Sequence, residues 1–438
     1  MSDLSIATNA LTERRPADAL EPLDRLLAQN PADVTALYLR GVSYLHLGEL
    51  DGAELDLRRA VALDPTDEAG QVLLARVLHQ QGETTLALEH FEVFLQDSEG
   101  SGWSYASFGH LCLDAGRWKD AYSAFKTAVE KDPEESSAHR GLAIIFSEAG
   151  QPERAAQAYR QILSLDPDSV FAHVGLGHAQ RDLGKLTEAL SSYRRARELE
   201  PQRAVHAGNE ASTLVEMGRL TEGRFVYEDA LALESQEGPD RAVLHLGLAM
   251  VLEELGEVES AREEYQYALD QDFTLFIAHE AMGLMAAASG HSEKAVEHLK
   301  LALDLGGLSP LAAVRLSLLL EEMGDQEGAR EIALLMERWE ATDPELAFRR
   351  AELLVHSADP QIRDSDKAVD LLLPLVGDSL SDQGPVWDLL GEAFAERGEF
   401  SRAVEAMDQA LSRVDPGDPG WFRYKNQRAA YMDLLNDK

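Results

Sequence analysis

Glycines recur along this chain at a fixed step. Gly48, Gly82, Gly116, Gly150, Gly184 and Gly218 are spaced so that 82 − 48 = 34 holds for each successive pair. The series continues at Gly256, Gly290, Gly324 and Gly398. With 438 residues the length alone admits several domains, but a fixed period argues for one elongated solenoid. The stretch Val170 to Arg203, VFAHVGLGHAQRDLGKLTEALSSYRRARELEPQR, shows the unit. Phe171, Val174, Gly177 and Ala179 follow helical spacing up to Gly184, and Leu186, Leu190, Tyr193 and Ala196 follow it again before Pro201. Asp166-Pro167 and Glu200-Pro201 separate one unit from the next, because proline cannot continue the preceding helix. Small residues at Gly177 and Ala189 let the two helices approach. A single pair cannot bury its apolar faces, so neighbours must stack into a continuous core.

The residues resemble a known family. Trp387-x-x-Leu390-Gly391-x-x-Phe394 resembles the first half of the tetratricopeptide repeat (TPR) signature, and Ala189-x-x-x-Tyr193 with Pro201 resembles the second. The resemblance covers nearly the whole chain. It implies an all-α solenoid, a right-handed superhelix of about twelve helical hairpins plus a C-terminal capping helix, with the first helix of each hairpin lining the concave side. It also implies protein binding without chemistry.

On this register residues 1–33 form a degenerate N-terminal cap. Arg14 replaces the turn glycine there, and Pro22 is expected to kink or shorten the second helix and fray the end. Residues 34–237 form a first array of six repeats. Residues 238–417 form a second array of five, interrupted by an insertion at 357–366. Four surplus residues in Ser235–Asp240 (256 − 218 = 38) mark a candidate hinge between the arrays. Residues 418–438 supply a solvating helix with Trp421, Tyr424, Tyr431, Leu434 and Leu435 on its apolar face and Asn426 and Arg428 outward.

Composition bounds the function. No apolar run approaches the roughly 20 residues of a membrane span, and the first residues lack a signal-peptide pattern. A cytoplasmic setting is therefore expected. The net charge of −38 argues against nucleic acid and against an anionic membrane surface. The acidity is read either as solubility of an extended surface or as attraction of a basic partner. Cys112 is the sole cysteine, so no intramolecular disulfide or Cys-x-x-Cys site exists. It reads as a buried small residue, with a reactive thiol as the alternative.

No catalytic, cofactor or metal motif holds. Gly175-Leu176-Gly177 lacks the third glycine and the strand of a dinucleotide site, and His279-Glu280 lacks a second histidine at zincin spacing. His139, His173, His245 and His279 share the slot of Leu37 and Trp387. They read as packed, hydrogen-bonded imidazoles in place of a metal set. The carboxylate clamp that the resemblance suggests is missing, because its slots hold Tyr38 and Val42, Val72 and Arg76, then Ala106 and His110.

Projecting the concave slots of the family leaves a contrast. The early groove presents Arg76, His79, His110, Arg140, His178 and Arg181, with Tyr38, Trp103 and Phe171 between them. The later groove presents Glu253, Glu254, Glu321, Glu322, Glu352, Glu392 and Glu396. These are either solvated helix positions or a dipolar groove, whose first half takes an acidic or aromatic segment and whose second half takes a basic one. The leading expectation is a scaffold or adaptor that binds a protein or peptide. The rival is a chaperone or assembly factor that holds an unassembled client across a joint near Pro239. Self-association through Trp421 and Tyr431 is left open.

Overall fold

A computed structural model of the chain describes residues 2–232, 239–339, 343–377 and 384–436. All regular structure among them is helical. The chain divides into two compact units, Met1–Arg219 and Leu220–Lys438. This division falls at the turn after Gly218, whereas residues 235–238 of the sequence-derived hinge lie outside the described residues. The first unit holds α1 (Asp3–Thr12), α2 (Pro16–Gln29), α3 (Val34–Leu47), α4 (Leu50–Leu63), α5 (Glu68–Gln80), α6 (Thr84–Asp97), α7 (Gly102–Asp114), α8 (Trp118–Lys131), α9 (Ser136–Glu148), α10 (Pro152–Leu165), α11 (Val170–Asp182), α12 (Leu186–Leu199) and α13 (Ala204–Glu216). The second holds α14 (Leu220–Leu231), α15 (Pro239–Glu254), α16 (Val258–Gln271), α17 (Phe276–Ala288), α18 (Ser292–Asp304), α19 (Pro310–Glu322), α20 (Gln326–Arg338), α21 (Pro344–His356), α22 (Ser365–Leu372), α23 (Gly384–Glu396), α24 (Phe400–Leu411) and α25 (Pro419–Asn436). No described helix is long and apolar enough to cross a membrane.

The periodic glycines close the hairpins. Gly48, for example, ends α3 with φ 78, a left-handed conformation that glycine adopts without strain. Between hairpins, the Asp33 and Asp67 side chains accept amide hydrogens of Ala36 and Gly70 and cap the next helix.

Packing rests on rings set into glycine sockets. Phe125 of α8 is fully buried against Gly109 of α7 and Gly141 of α9. A Cβ on Gly141 would lie 2.2 Å from Phe125 Cζ, and one on Gly109 would lie 2.6 Å from its Cε1. The same ring thus joins its own hairpin to the next. On α11, Gly175 receives Tyr159 of α10 and Gly177 receives Tyr193 of α12. In the second unit, Gly247 of α15 receives Tyr227 of α14. Each ring fills space that any side chain at the glycine would take, and a buried ring of this size stabilises by about 3–5 kcal/mol against truncation to alanine.

The N-terminal cap departs from expectation. Helix α2 runs unbroken through Pro22 to Gln29, and Arg14 takes the turn with φ 57. Losing one backbone donor costs about 3 kcal/mol. Burial of Ala7, Ala10, Ala19 and Leu23 and the Arg25–Asp3 ion pair at 2.7 Å offset that cost. The C-terminal helix departs too. Tyr424 is buried and Tyr431 partly so, but Leu434 and Leu435 are 47% and 37% exposed. Asn426 faces solvent, while Arg428 turns back to pair with Asp408 of α24. The helix docks through Tyr424, buried with Met407 and Ala410 of α24, and through the Arg428–Asp408 pair.

Cys112 is fully buried, and burial pushes its thiol up to about 12, so it packs as a small apolar residue. The insertion after α21 is held from within. Glu321 accepts the Ala358 amide at 2.8 Å, and the buried Asp359 pairs with Arg330 at 2.6 Å. Pro374 lies in a single 3-10 turn, Leu373–Gly377, that follows α22.

Gly141→Ala is expected to lower stability by about 1–3 kcal/mol, because the Phe125 ring is held on both sides and cannot yield. Gly417→Ala, with no atom within 4 Å of the added Cβ, serves as the control. Denaturant midpoints compare them, and equal midpoints would refute the socket.

Candidate functional site

In the first unit, four of the residues projected onto the groove meet in one cleft. Arg76 and His79 on α5 and Trp103 and His110 on α7 surround a cavity of about 250 Å³. Val72, Phe91 and Leu111 form its buried apolar floor. Trp103 is 43% exposed. Arg76 is exposed and has no ion-pair partner among the described residues. The two histidines are committed to the framework. His79 contacts the Thr84 hydroxyl at 3.0 Å through Nδ1 and Asp114 at 3.2 Å through Nε2. His110 Nε2 meets the Ser137 hydroxyl at 2.8 Å, and its ring lies edge-on to Phe125. Burial holds the His110 pKa below the ordinary imidazole value, so the ring is neutral at neutral pH. The cleft therefore combines an apolar floor, one free guanidinium and one open indole.

The other early-groove residues lie apart from this cleft. Arg140 stacks over Phe171 with its guanidinium 4.0 Å from the ring centroid. His178 Nδ1 meets the Tyr193 hydroxyl at 2.8 Å, and burial lowers its pKa. Tyr38 is half-buried, and burial raises its phenol. Arg181 is half-exposed beside His178.

In the second unit most of the projected carboxylates have partners inside the chain. Glu253 accepts the Tyr265 hydroxyl at 2.7 Å. Glu321 holds the insertion at Ala358 and Ser357. Glu352 pairs with Arg349 at 2.9 Å. Glu392 pairs with His356 at 2.9 Å and accepts the Gln427 amide at 2.8 Å. Glu396 accepts the Ser365 hydroxyl. Glu254 and Glu322 are exposed. Glu352, His356, Asp388 and Glu392 line a second cleft of about 350 Å³ with Phe348, Arg349 and Arg423.

The slot shared by histidines is structural. The Nε2–H of His139 donates to the Pro133 carbonyl at 2.8 Å, that of His173 to Pro167 at 2.9 Å and that of His279 to Phe273 at 3.1 Å. Each ring thereby braces the turn that precedes its helix. His245 instead contacts Glu264 at 2.6 Å. His279 also meets His298, Nδ1 to Nδ1 at 3.0 Å, but no group of three or more metal-ligating side chains occurs among the described residues.

A sequence model described as "Tetratricopeptide repeat" matches residues 4–68, 108–170, 143–204 and 209–272, and a second model of the same description matches 69–92. The chain belongs to the tetratricopeptide repeat family. The matched ranges end at 272, yet TPR-like helix pairs continue to α24. Among curated proteins, FK506-binding protein-like from Rattus norvegicus and from Homo sapiens are each 37% identical over 76 residues. That match covers 17% of this chain, and the chain spans 22% of those relatives' length. Among solved structures, the APC/C hetero-tetramer Cut9-Hcn1 is 14% identical with a TM-score of 0.48, over 98% of this chain and 95% of that one. YrrB, a TPR protein with an unusual peptide-binding site, is 17% identical with a TM-score of 0.34, over 41% of this chain and 92% of its own. These are likenesses of fold.

Two features of this TPR chain escaped the sequence reading. One is Asp388, buried beside Trp387 in the signature segment. The other is a row of exposed apolar residues, Val243, Ile277 and Leu311, on α15, α17 and α19. Their spacing, 277 − 243 = 34 and 311 − 277 = 34, carried the signal.

Pairing with Glu392 raises the His356 pKa above its ordinary value, against the opposing effect of burial. A raised histidine stabilises the fold fully below its unfolded pKa of about 6.5, and the contribution is lost as pH rises through the folded value. The stability gap between the parent and His356→Gln should therefore be widest near pH 6 and shrink above pH 8. Unfolding midpoints across that range would show it, and a constant gap would contradict the pairing.

Proposed function

We propose that the chain is a non-enzymatic interaction scaffold whose first-helix faces take a segment of another protein. The cleft of Arg76 and Trp103 carries this reading. A free cation and an exposed indole stand over an apolar floor, while the neighbouring histidines are tied back to the frame. Such a cleft suits an apolar or aromatic side chain with a carboxylate close by, the indole covering the first and Arg76 pairing with the second. Docking is by shape and charge, as in other groove recognition. Membership of the TPR family supports protein binding of this kind.

Trp103→Ala and Arg76→Glu are each expected to reduce partner recovery at least tenfold when tagged protein is used as bait in its native cell extract, a loss of about 1.4 kcal/mol or more. Unchanged recovery in both would sink the cleft as the docking site. Added salt should weaken capture by the parent more than by Arg76→Glu.

The row of Val243, Ile277 and Leu311 favours a second reading, a holder of unassembled clients, because exposed apolar residues repeated at the helical step suit an exposed apolar chain. Stoichiometric suppression of aggregation of a denatured test protein separates the two. A scaffold shows none, and a holder loses it when the three residues are changed to serine.

A further inference from the structure

Asp388 lies on α23 and is 5% exposed. Its Oδ2 meets the Arg423 guanidinium of α25. Its Oδ1 is buried and has no hydrogen-bond partner. A buried carboxylate oxygen without a donor is costly, and such a group in a native fold calls for an explanation. Burial pushes the Asp388 carboxyl up to about 6, so at neutral pH it is still ionised and its acceptor is unmet.

The cleft of about 350 Å³ opens beside this residue. Its other charges are largely spoken for. Arg349 lies between Glu345 at 2.7 Å and Glu352 at 2.9 Å. His356 is engaged by Glu392. Four carboxylates line the cleft, those of Glu345, Glu352, Asp388 and Glu392, against two guanidiniums and one imidazole. The wall between them is apolar, with Val386 and Leu389 buried and Phe348 partly so.

We propose that this cleft binds a cationic side chain, a lysine or arginine carried on a basic segment of a partner protein, with its N–H donating to Asp388 Oδ1. The methylenes of such a side chain would lie along Phe348 and Leu389, as long basic side chains cover apolar surface while the head group finds charge. Asp388 and Arg423 form a half-made pair: Oδ1 lies closed off from solvent, and the guest reaches it as the exposed Arg423 side chain swings aside. This assignment rests on the reading that the chain takes protein segments. The Trp103 cleft stands on the other unit, so loss of partner in Trp103→Ala tests that reading without touching this site.

The full chain is titrated calorimetrically at pH 7.4 with the capped peptide acetyl-Ala-Lys-Leu-Lys-Ala-amide and with its norleucine counterpart, in which both lysines are replaced. The parent should bind the lysine peptide and not the norleucine one. Asp388→Asn, which keeps the shape, should weaken binding about tenfold, the effect of losing one charge-assisted hydrogen bond. Arg423→Gln removes the competing cation and should tighten binding about twofold or more. Equal affinity in the parent and Asp388→Asn would mean diffuse attraction to an acidic surface and would overturn the site. A fall in Arg423→Gln alongside Asp388→Asn would overturn it as well, since Asp388 would then serve only to dock α25.

Discussion

The structure depends on aromatic rings seated where a glycine leaves no side chain. Phe125 occupies the hollow left by Gly109 in its own hairpin and by Gly141 in the next. Tyr159 and Tyr193 bracket α11 in the same way. A ring shared by two hairpins merges intra-repeat and inter-repeat packing into one contact, which is why small residues recur at fixed positions. It also turns the core-facing side of each first helix toward its neighbours. The opposite side is then free to carry Arg76, Trp103 and their like in a row.

Much of this was legible in the chain. The step of the glycines places the hairpin turns from Gly48 to Gly324 and the one at Gly398, and the apolar spacing places the helix pairs from Val34 onward. Arg76, His79, Trp103 and His110 were projected onto one wall, and they line one cleft because each sits a repeat or less from the next. The histidine slot reads as packed imidazoles, and three of its four rings, those of His139, His173 and His279, brace the turns.

The rest was hidden by pairings that cross copies out of register. His356 meets Glu392, 392 − 356 = 36 residues away, and Glu321 meets Ser357, again 36 away. These partners sit two residues off the common step, so a projection of isolated slots left the glutamates looking free. Pro22 misled for a different reason, since the packing of Leu23 and Leu27 outweighs a local penalty. Leu434 and Leu435 repeat the spacing of buried positions but are exposed.

Sharing one ring between two hairpins has a mechanical corollary. Parting α9 from α8 strips Gly141 from the Phe125 ring left behind, and parting α11 from α10 or α15 from α14 does the same to Tyr159 or Tyr227, so each loss eases the next. Loads applied along either unit should be released in a run of small slips starting from an end, each about one hairpin long, with the interior yielding last.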